Sequence, residues 1–76
     1  MTIPAFLIEY KRRSGAVRVT RYPNLLEATQ ARLKLDEINN DPDLEIVAIG
    51  SKDEASLRRS HARYFYREDV PFPAAS

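Results

Sequence analysis

The chain of 76 residues contains no cysteine, no tryptophan, one histidine and two glycines. Without cysteine there is neither a disulfide nor a thiolate that could attack a substrate or bind a metal. The two glycines, Gly15 and Gly50, are too far apart for a glycine-rich phosphate-binding loop. A lone histidine leaves only carboxylates as further metal ligands, and the central acidic residues lack the glycine and terminal glutamate of a calcium loop. These acidic residues are Asp36, Glu37, Asp41 and Asp43. We therefore expect no metal and no cofactor.

The single histidine, His61, directly follows Ser60. Adjacent residues on a helix point about 100° apart, so we expect no hydrogen bond of the nucleophile–base kind between them. His61 shares an apolar helical face with Leu57 and Phe65, where simple packing explains it, and a functional role among the arginines around it is the alternative. Complementary catalytic groups are missing elsewhere, so the sequence predicts a protein that is not an enzyme.

Long hydrophobic runs are also missing. No run is longer than that of residues 46–49, which is far shorter than the roughly 20 residues of a membrane span. The first ten residues lack the basic leader of a signal peptide, so we expect a cytoplasmic protein without a membrane partner. A chain this short builds one small core that is marginally stable alone. Self-association is one way to stabilise such a core.

The net charge is +1, but the charges are segregated along the chain. Residues 1–35 carry seven basic and two acidic side chains, and residues 36–54 carry one basic and seven acidic side chains. Residues 55–76 carry four basic and two acidic side chains. Solvated surface explains such a pattern, and a bipolar surface is the alternative.

The first third of the chain has the pattern of a β-hairpin. Apolar and polar side chains alternate over residues 5–11 and 16–22. Between these runs, Gly15 can take the left-handed conformation of a hairpin turn without steric cost. We expect a positive φ angle there.

Helix signals follow the hairpin. Pro23 ends the second strand, and Asn24 with Glu27 forms a capping box that starts a helix over residues 25–39. The branched apolar run at residues 44–49 predicts a buried strand.

A second helix is predicted after this third strand. Ser51 and Glu54 match a second capping box, and the apolar spacing allows this helix to extend to about Tyr66. We assign residues 1–69 to one domain and residues 70–76 to a flexible tail. The order ββαβα predicts an α+β fold with a three-stranded antiparallel sheet in the order 2-1-3 and both helices packed on one face.

The long helix carries two apolar stripes. The first is expected to pack on the sheet, and consists of Ala28, Ala31, Leu35 and Ile38. Leu26 and Leu33 lie on a different side of the helix, so they need another partner. Either another part of the chain covers them, or they form the interface of a homodimer.

Two clusters contain most of the arginines. Together they give a candidate surface for anions or nucleic acid: Arg12, Arg13, Arg18, Arg21, Arg58, Arg59, His61, Arg63 and Tyr64. Arginines bind phosphates and tyrosines stack on bases. However, the isoelectric point near 8.1 is not strongly basic, and no nucleic-acid-binding motif is present. We expect residues 58–67 to expose their arginines while Leu57 and Phe65 anchor the segment on the sheet.

The stretches FLIEYKRRSGAVRVTRY, EIVAIGS and LRRSHARYF resemble small bacterial proteins that end in a His-x-Arg-Tyr-Phe element. The resemblance covers roughly residues 6–65. It implies a bacterial origin and a shared fold. Because that family carries no established activity, it assigns no catalytic residue.

The leading hypothesis is a non-enzymatic protein-interaction or self-associating module. Its candidate contact groups are Leu26 and Leu33, or the basic and aromatic cluster around His61, with an unidentified protein or a second copy of the chain as partner. The alternative is a nucleic-acid-associated accessory protein that uses the basic and aromatic surface.

Overall fold

The computed structural model describes residues 3–73. The first two residues of the expected domain and the last three of the expected tail, residues 74–76, lie outside this range. The elements are β1 (Ala5–Lys11), β2 (Val17–Tyr22), α1 (Leu25–Ile38), β3 (Leu44–Gly50), α2 (Glu54–Ser60) and a 3₁₀ turn (Ala62–Tyr64).

The three strands form one sheet in the order β2-β1-β3, and both outer strands are antiparallel to β1. The α+β class and the strand order predicted from the sequence are confirmed. The register places Glu9 of β1 opposite Arg18 of β2 and Ile46 of β3. Since β2 and β3 are parallel to each other, the chain needs a crossover between them, and α1 provides it.

The central strand β1 is buried on both faces. Residues 5–9 are at most 5% exposed, although successive side chains of a strand point to opposite sides. Each face of the sheet must therefore be covered by another part of the chain.

The two helices cover opposite faces, which corrects the expectation that both pack on one face. Leu57 of α2 packs with Phe6 and Ile8, so this side is called the α2 face. Leu35 of α1 lines a cleft together with Glu9, on the side called the α1 face. One layer of helices would have left half of β1 in water.

Aromatic and branched side chains fill the α2 face. The fully buried cluster consists of Phe6, Ile8, Leu57 and Tyr64. The rings of Tyr64 and Tyr10 meet edge to face, with centroids 5.2 Å apart and planes at 81°, an arrangement that aromatic pairs favour. Half-buried residues surround this cluster: Val17, Val19, Val47, Ile49 and Phe65.

The α1 face is covered by smaller contacts. Ala28 is the fully buried residue of α1, and Leu35 is half-buried. Ile38 is 77% exposed, so its expected place on the sheet is wrong. It is the last residue of α1 and lies about 60° around the helix from Leu35. It therefore reaches only the rim of the sheet.

The hairpin turn has the predicted conformation, because Gly15 has φ = 81°. Its N–H donates to the carbonyl of Lys11 at 2.8 Å, and the Lys11 N–H donates to the carbonyl of Ala16 at 2.8 Å. These bonds close the turn and fix the register of β1 and β2.

Helix α1 starts at the predicted N-cap Asn24, but the capping box is incomplete, because the Glu27 carboxylate accepts from the Asn24 side chain rather than from its backbone N–H. The Glu27 N–H donates to Asn24 Oδ1 at 2.9 Å, and Asn24 Nδ2 donates back to the Glu27 carboxylate at 3.1 Å. The start of α2 differs from the prediction, because Asp53 rather than Ser51 is the N-cap and accepts from the Ser56 N–H at 2.7 Å.

Helix α2 is shorter than predicted and ends at Ser60 rather than near Tyr66. The Ser60 hydroxyl lies 3.0 Å from the carbonyl of Ser56 and can donate to it, a back-bond that weakens helix continuation. His61 then has φ −126° and ψ 46°, outside the helical region. The 3₁₀ turn still brings Phe65 onto the α2 face.

The segment after the 3₁₀ turn passes from one face of the sheet to the other. Phe65 packs on the α2 face, and Arg67 lies against Gly15 at the end of the hairpin. Phe72 then lies on the α1 face, over the guanidinium of Arg18. Residues 70–73 of the expected tail therefore run beside the domain.

We predict that Gly15→Ala lowers the free energy of unfolding by about 1–3 kcal/mol. An alanine there would be strained at φ = 81°, and its Cβ would lie 2.5 Å from Cβ of Arg67. Urea unfolding measures the change. Gly50→Ala is the matched control, because a Cβ at Gly50 meets nothing within 4 Å. Equal stability of the two variants would contradict the assigned turn.

Candidate functional site

The outer face of α1, defined by Leu26 and Leu33, is the exposed apolar surface that the sequence singled out. These side chains are 67% and 59% exposed, as predicted. Leu26 and the half-buried Leu35 are nine residues apart, which places them about 180° apart on the helix. Leu26 and Leu33 therefore point directly away from the sheet.

The arginines of the hairpin are divided between the two faces. Arg18 lies on the α1 face, where its Nε and Nη2 donate to the two carboxylate oxygens of Glu9 at 2.9 and 2.8 Å. Arg21 lies on the α2 face, beside Phe6 and the start of α2. A strand presents residues three apart on opposite sides, so these two arginines do not share a surface.

The turn itself points toward the acidic loop before β3. The backbone N–H of Arg13 donates to Asp43 Oδ1 at 3.0 Å, and Arg12 Nε donates to Glu45 at 3.4 Å. Lys11 forms an ion pair with Asp41. The basic and acidic segments of the sequence therefore partly neutralise each other.

The second basic cluster, residues 58–67, also forms ion pairs with carboxylates. Arg58 forms ion pairs with Glu54 and Glu68 and stacks on the ring of Phe65 at 4.6 Å. Arg59 is exposed and donates to Ser56 Oγ at 3.3 Å. As predicted, Leu57 and Phe65 anchor residues 58–67. Three of the four arginines in this segment are exposed, namely Arg59, Arg63 and Arg67, whereas Arg58 is half-buried.

Glu45 connects the turn to the second cluster. It accepts a hydrogen bond from the Tyr64 hydroxyl at 2.5 Å and one from Arg63 Nη2 at 2.7 Å. The Tyr64 hydroxyl, with Arg63 and Arg12 nearby, lowers the pKa of Glu45 despite its partial burial. Burial and then the Glu45 carboxylate raise the pKa of Tyr64, so its hydroxyl stays protonated and donates.

Ser60 and His61 are closer than the sequence argument allowed. Ser60 Oγ lies 2.8 Å from His61 Nδ1, because His61 has left the helical conformation. The expectation that the two cannot hydrogen-bond is therefore wrong. The Ser60 hydroxyl also lies within hydrogen-bond distance of the carbonyls of Ser56 and Leu57. In residues 3–73 no carboxylate hydrogen-bonds to His61 and orients it as a base.

A cleft on the α1 face was not found by sequence reasoning. It has a volume of about 380 Å³ and lies between the end of α1, the sheet and the tail. Its floor contains the buried carboxylate of Glu9 with its partner Arg18. The other lining residues are Lys11, Leu35, Ile38, Asn39, Asn40, Asp41, Leu44, Ile46, Phe72 and Pro73.

One sequence signal for this cleft was available. Glu9 interrupts an otherwise apolar strand, and the hairpin register around Gly15 places Arg18 opposite it. A buried carboxylate needs such a partner. Within the described chain, no group of three or more histidine or acidic side chains is placed to hold a metal ion.

None of the described helices is long and apolar enough to cross a membrane. No protein family, curated protein or solved structure matches the chain. The assignment of a function therefore depends on the surfaces described above.

We predict that Glu45→Gln lowers the free energy of unfolding by about 1–2 kcal/mol at pH 7. The folded state lowers the pKa of Glu45, so this stabilisation is complete above the unfolded value of about 4.3. The stabilisation is lost as the pH falls through the pKa of Glu45 in the folded state. The difference between wild type and variant should shrink accordingly in urea unfolding from pH 7 to pH 3.

Glu54→Gln is the control, since Glu54 is an exposed carboxylate that pairs with Arg58 on α2. Its effect should stay near about 0.5 kcal/mol. A constant Glu45→Gln difference across the pH range would contradict the assigned network.

Proposed function

We propose that the protein is a non-enzymatic interaction module that self-associates through the outer face of α1. The observation that carries this proposal is the exposure of Leu26 and Leu33 on the side of α1 opposite the sheet. Both are apolar, they lie two helical turns apart, and no described part of the chain covers them. Exposed apolar patches are a common feature of protein interfaces.

The spacing favours an antiparallel pair of α1 helices from two copies. Leu26 of one copy then lies against Leu33 of the second copy, and the reverse contact forms at the other end. Such an interface uses one patch twice and closes with two-fold symmetry. Thr29 and Gln30, at its centre, are small or flexible enough for close packing.

The charges beside this patch fit the same arrangement. Glu27 and Lys34 are seven residues apart, so they share one flank of α1, within about 20°. In the antiparallel pair, Glu27 lies within reach of Lys34 of the second copy. A parallel pair would not bring these opposite charges together.

The expected interface is small. Helix α1 has 14 residues and is therefore about 21 Å long. The surface area that a single helix face of this length can bury is at the lower end of the range for specific interfaces. We infer a reversible, concentration-dependent dimer rather than a permanent one.

Nucleic-acid binding is the second hypothesis, and the ion pairs favour it less. Arg12, Arg18, Arg58 and Arg63 each pair with a carboxylate, which would have to be displaced by a phosphate. The arginines that pair with no carboxylate in the described chain include Arg13, Arg21 and Arg59, and they are dispersed. Nucleic-acid binding would weaken steeply with salt, whereas apolar association would not.

We predict that the wild-type protein shows a monomer–dimer equilibrium in sedimentation, and that Leu33→Lys weakens it by at least about tenfold. The variant places two lysines in a symmetric apolar interface. Because Leu33 is exposed in the single chain, the free energy of unfolding of the monomer should change little.

Tyr66→Lys is the matched control, since Tyr66 is 78% exposed and lies outside α1, in the segment after the 3₁₀ turn. It should dimerise like wild type. A strictly monomeric wild type at millimolar concentration, or equal effects of the two variants, would refute the proposal. Loss of association at high salt, with binding of single-stranded RNA, would favour the nucleic-acid hypothesis instead.

A further inference from the structure

The cleft on the α1 face already contains a side chain from the C-terminal segment. We propose that this cleft is a docking site for a peptide segment with an aromatic residue between two prolines. Its occupant in this chain is residues 70–73, with the sequence Val-Pro-Phe-Pro. This surface differs from the outer face of α1, so the proposal stands apart from self-association.

The recognition element for the aromatic residue is Arg18. The ring of Phe72 lies 4.6 Å from the guanidinium carbon of Arg18. Both carboxylate oxygens of Glu9 hold that guanidinium, and Glu9 is itself buried in the central strand. The cation is therefore fixed before the ring arrives, which favours a stacked aromatic side chain.

One part of the remaining wall is apolar, while Lys11 and Asp41 line the polar part. Leu35 and Ile38 of α1 form one side, and Ile46 of β3 contributes to the floor. Phe72 and Pro73 line the cleft without filling it, since about 380 Å³ remains open. Prolines fit such a surface because their fixed φ lowers the entropy lost on binding.

The C-terminal segment is held in a way that permits exchange. The Val70 N–H donates to the carbonyl of Arg67 at 3.0 Å. Between Val70 and Pro73, the end of the described chain, no further backbone hydrogen bond forms to the rest of the domain. The contact of Phe72 with Arg18 therefore holds residues 70–73 in the cleft. A second peptide of the same chemistry must displace these residues in order to bind.

The test uses the full chain and a free peptide with the sequence of residues 66–76. The readout is the NMR signal of Arg18 Hε, which we expect the Phe72 ring to shield because the guanidinium lies over that ring. Phe72→Ala should shift this signal downfield and leave the amides of the β-strands in place. Adding the peptide to this variant should restore the shielded position in a saturable way.

Three comparisons make the test specific. The same peptide with alanine at the phenylalanine position should not restore the signal. Wild-type protein should need at least about tenfold more peptide, because its own segment occupies the site. Arg18→Lys combined with Phe72→Ala, followed by the amides of Leu35 and Ile46, should bind the peptide about two- to fivefold more weakly.

Tyr66→Ala is the matched control, since it removes an exposed aromatic residue from the same segment and should leave Arg18 Hε unchanged. An unchanged Arg18 Hε in Phe72→Ala would overturn the proposal. So would a peptide that fails to restore the signal, or equal restoration by the alanine peptide.

Discussion

The structure depends on a central strand that is buried on both faces. A sheet of only three strands is normally covered on one side, but β1 has apolar residues facing both sides. Its exclusion from water therefore requires two separate covers, and 76 residues must supply them. The crossover helix α1 covers one face because β2 and β3 are parallel. The second face is covered by Leu57 of α2, Tyr64 of the 3₁₀ turn and Phe65, whereas Phe72 returns to the α1 face.

The two covers are unlike, and Glu9 explains the difference. The α2 face presents only apolar side chains of β1, so Leu57 and Tyr64 can pack tightly on it. The α1 face presents a buried carboxylate, which is costly unless it is paired. Arg18 pairs with it from the neighbouring strand, but its guanidinium remains partly exposed at the strand edge. Leucine side chains of α1 cannot pack closely on this floor, because they offer no hydrogen bonds to its charged groups. The α1 face consequently keeps a cleft, beside which Phe72 is stacked.

Local signals in the sequence predicted local structure well. Gly15 indicated the hairpin turn, Asn24 and Glu27 indicated the start of α1, and the spacing of Leu26 and Leu33 indicated an outward stripe. The errors arose where the path of the chain in three dimensions decides between local alternatives. Ser51 and Asp53 both suit a helix cap, and only the path of the chain after β3 decides between them. The side taken by α2 follows from the burial of β1, which residues 5–8 already indicate as a continuous apolar run. The cleft needs residues from β1, β2, β3, α1 and the tail, so no single motif could reveal it.

The charges that are segregated along the sequence lie close to charges of opposite sign in the folded domain. The basic hairpin and the acidic segment after α1 look bipolar along the chain, but the fold places Lys11 beside Asp41 and Arg12 beside Glu45. Most of the segregated charge is thereby used inside the domain, and less remains for a polyanion. A pair of exposed apolar side chains remains on α1. Its outer side carries Leu26 and Leu33, while Leu35 on its inner side lines the cleft. Because one rigid helix contributes to both surfaces, a partner that moves α1 on the sheet would also change the width of the cleft.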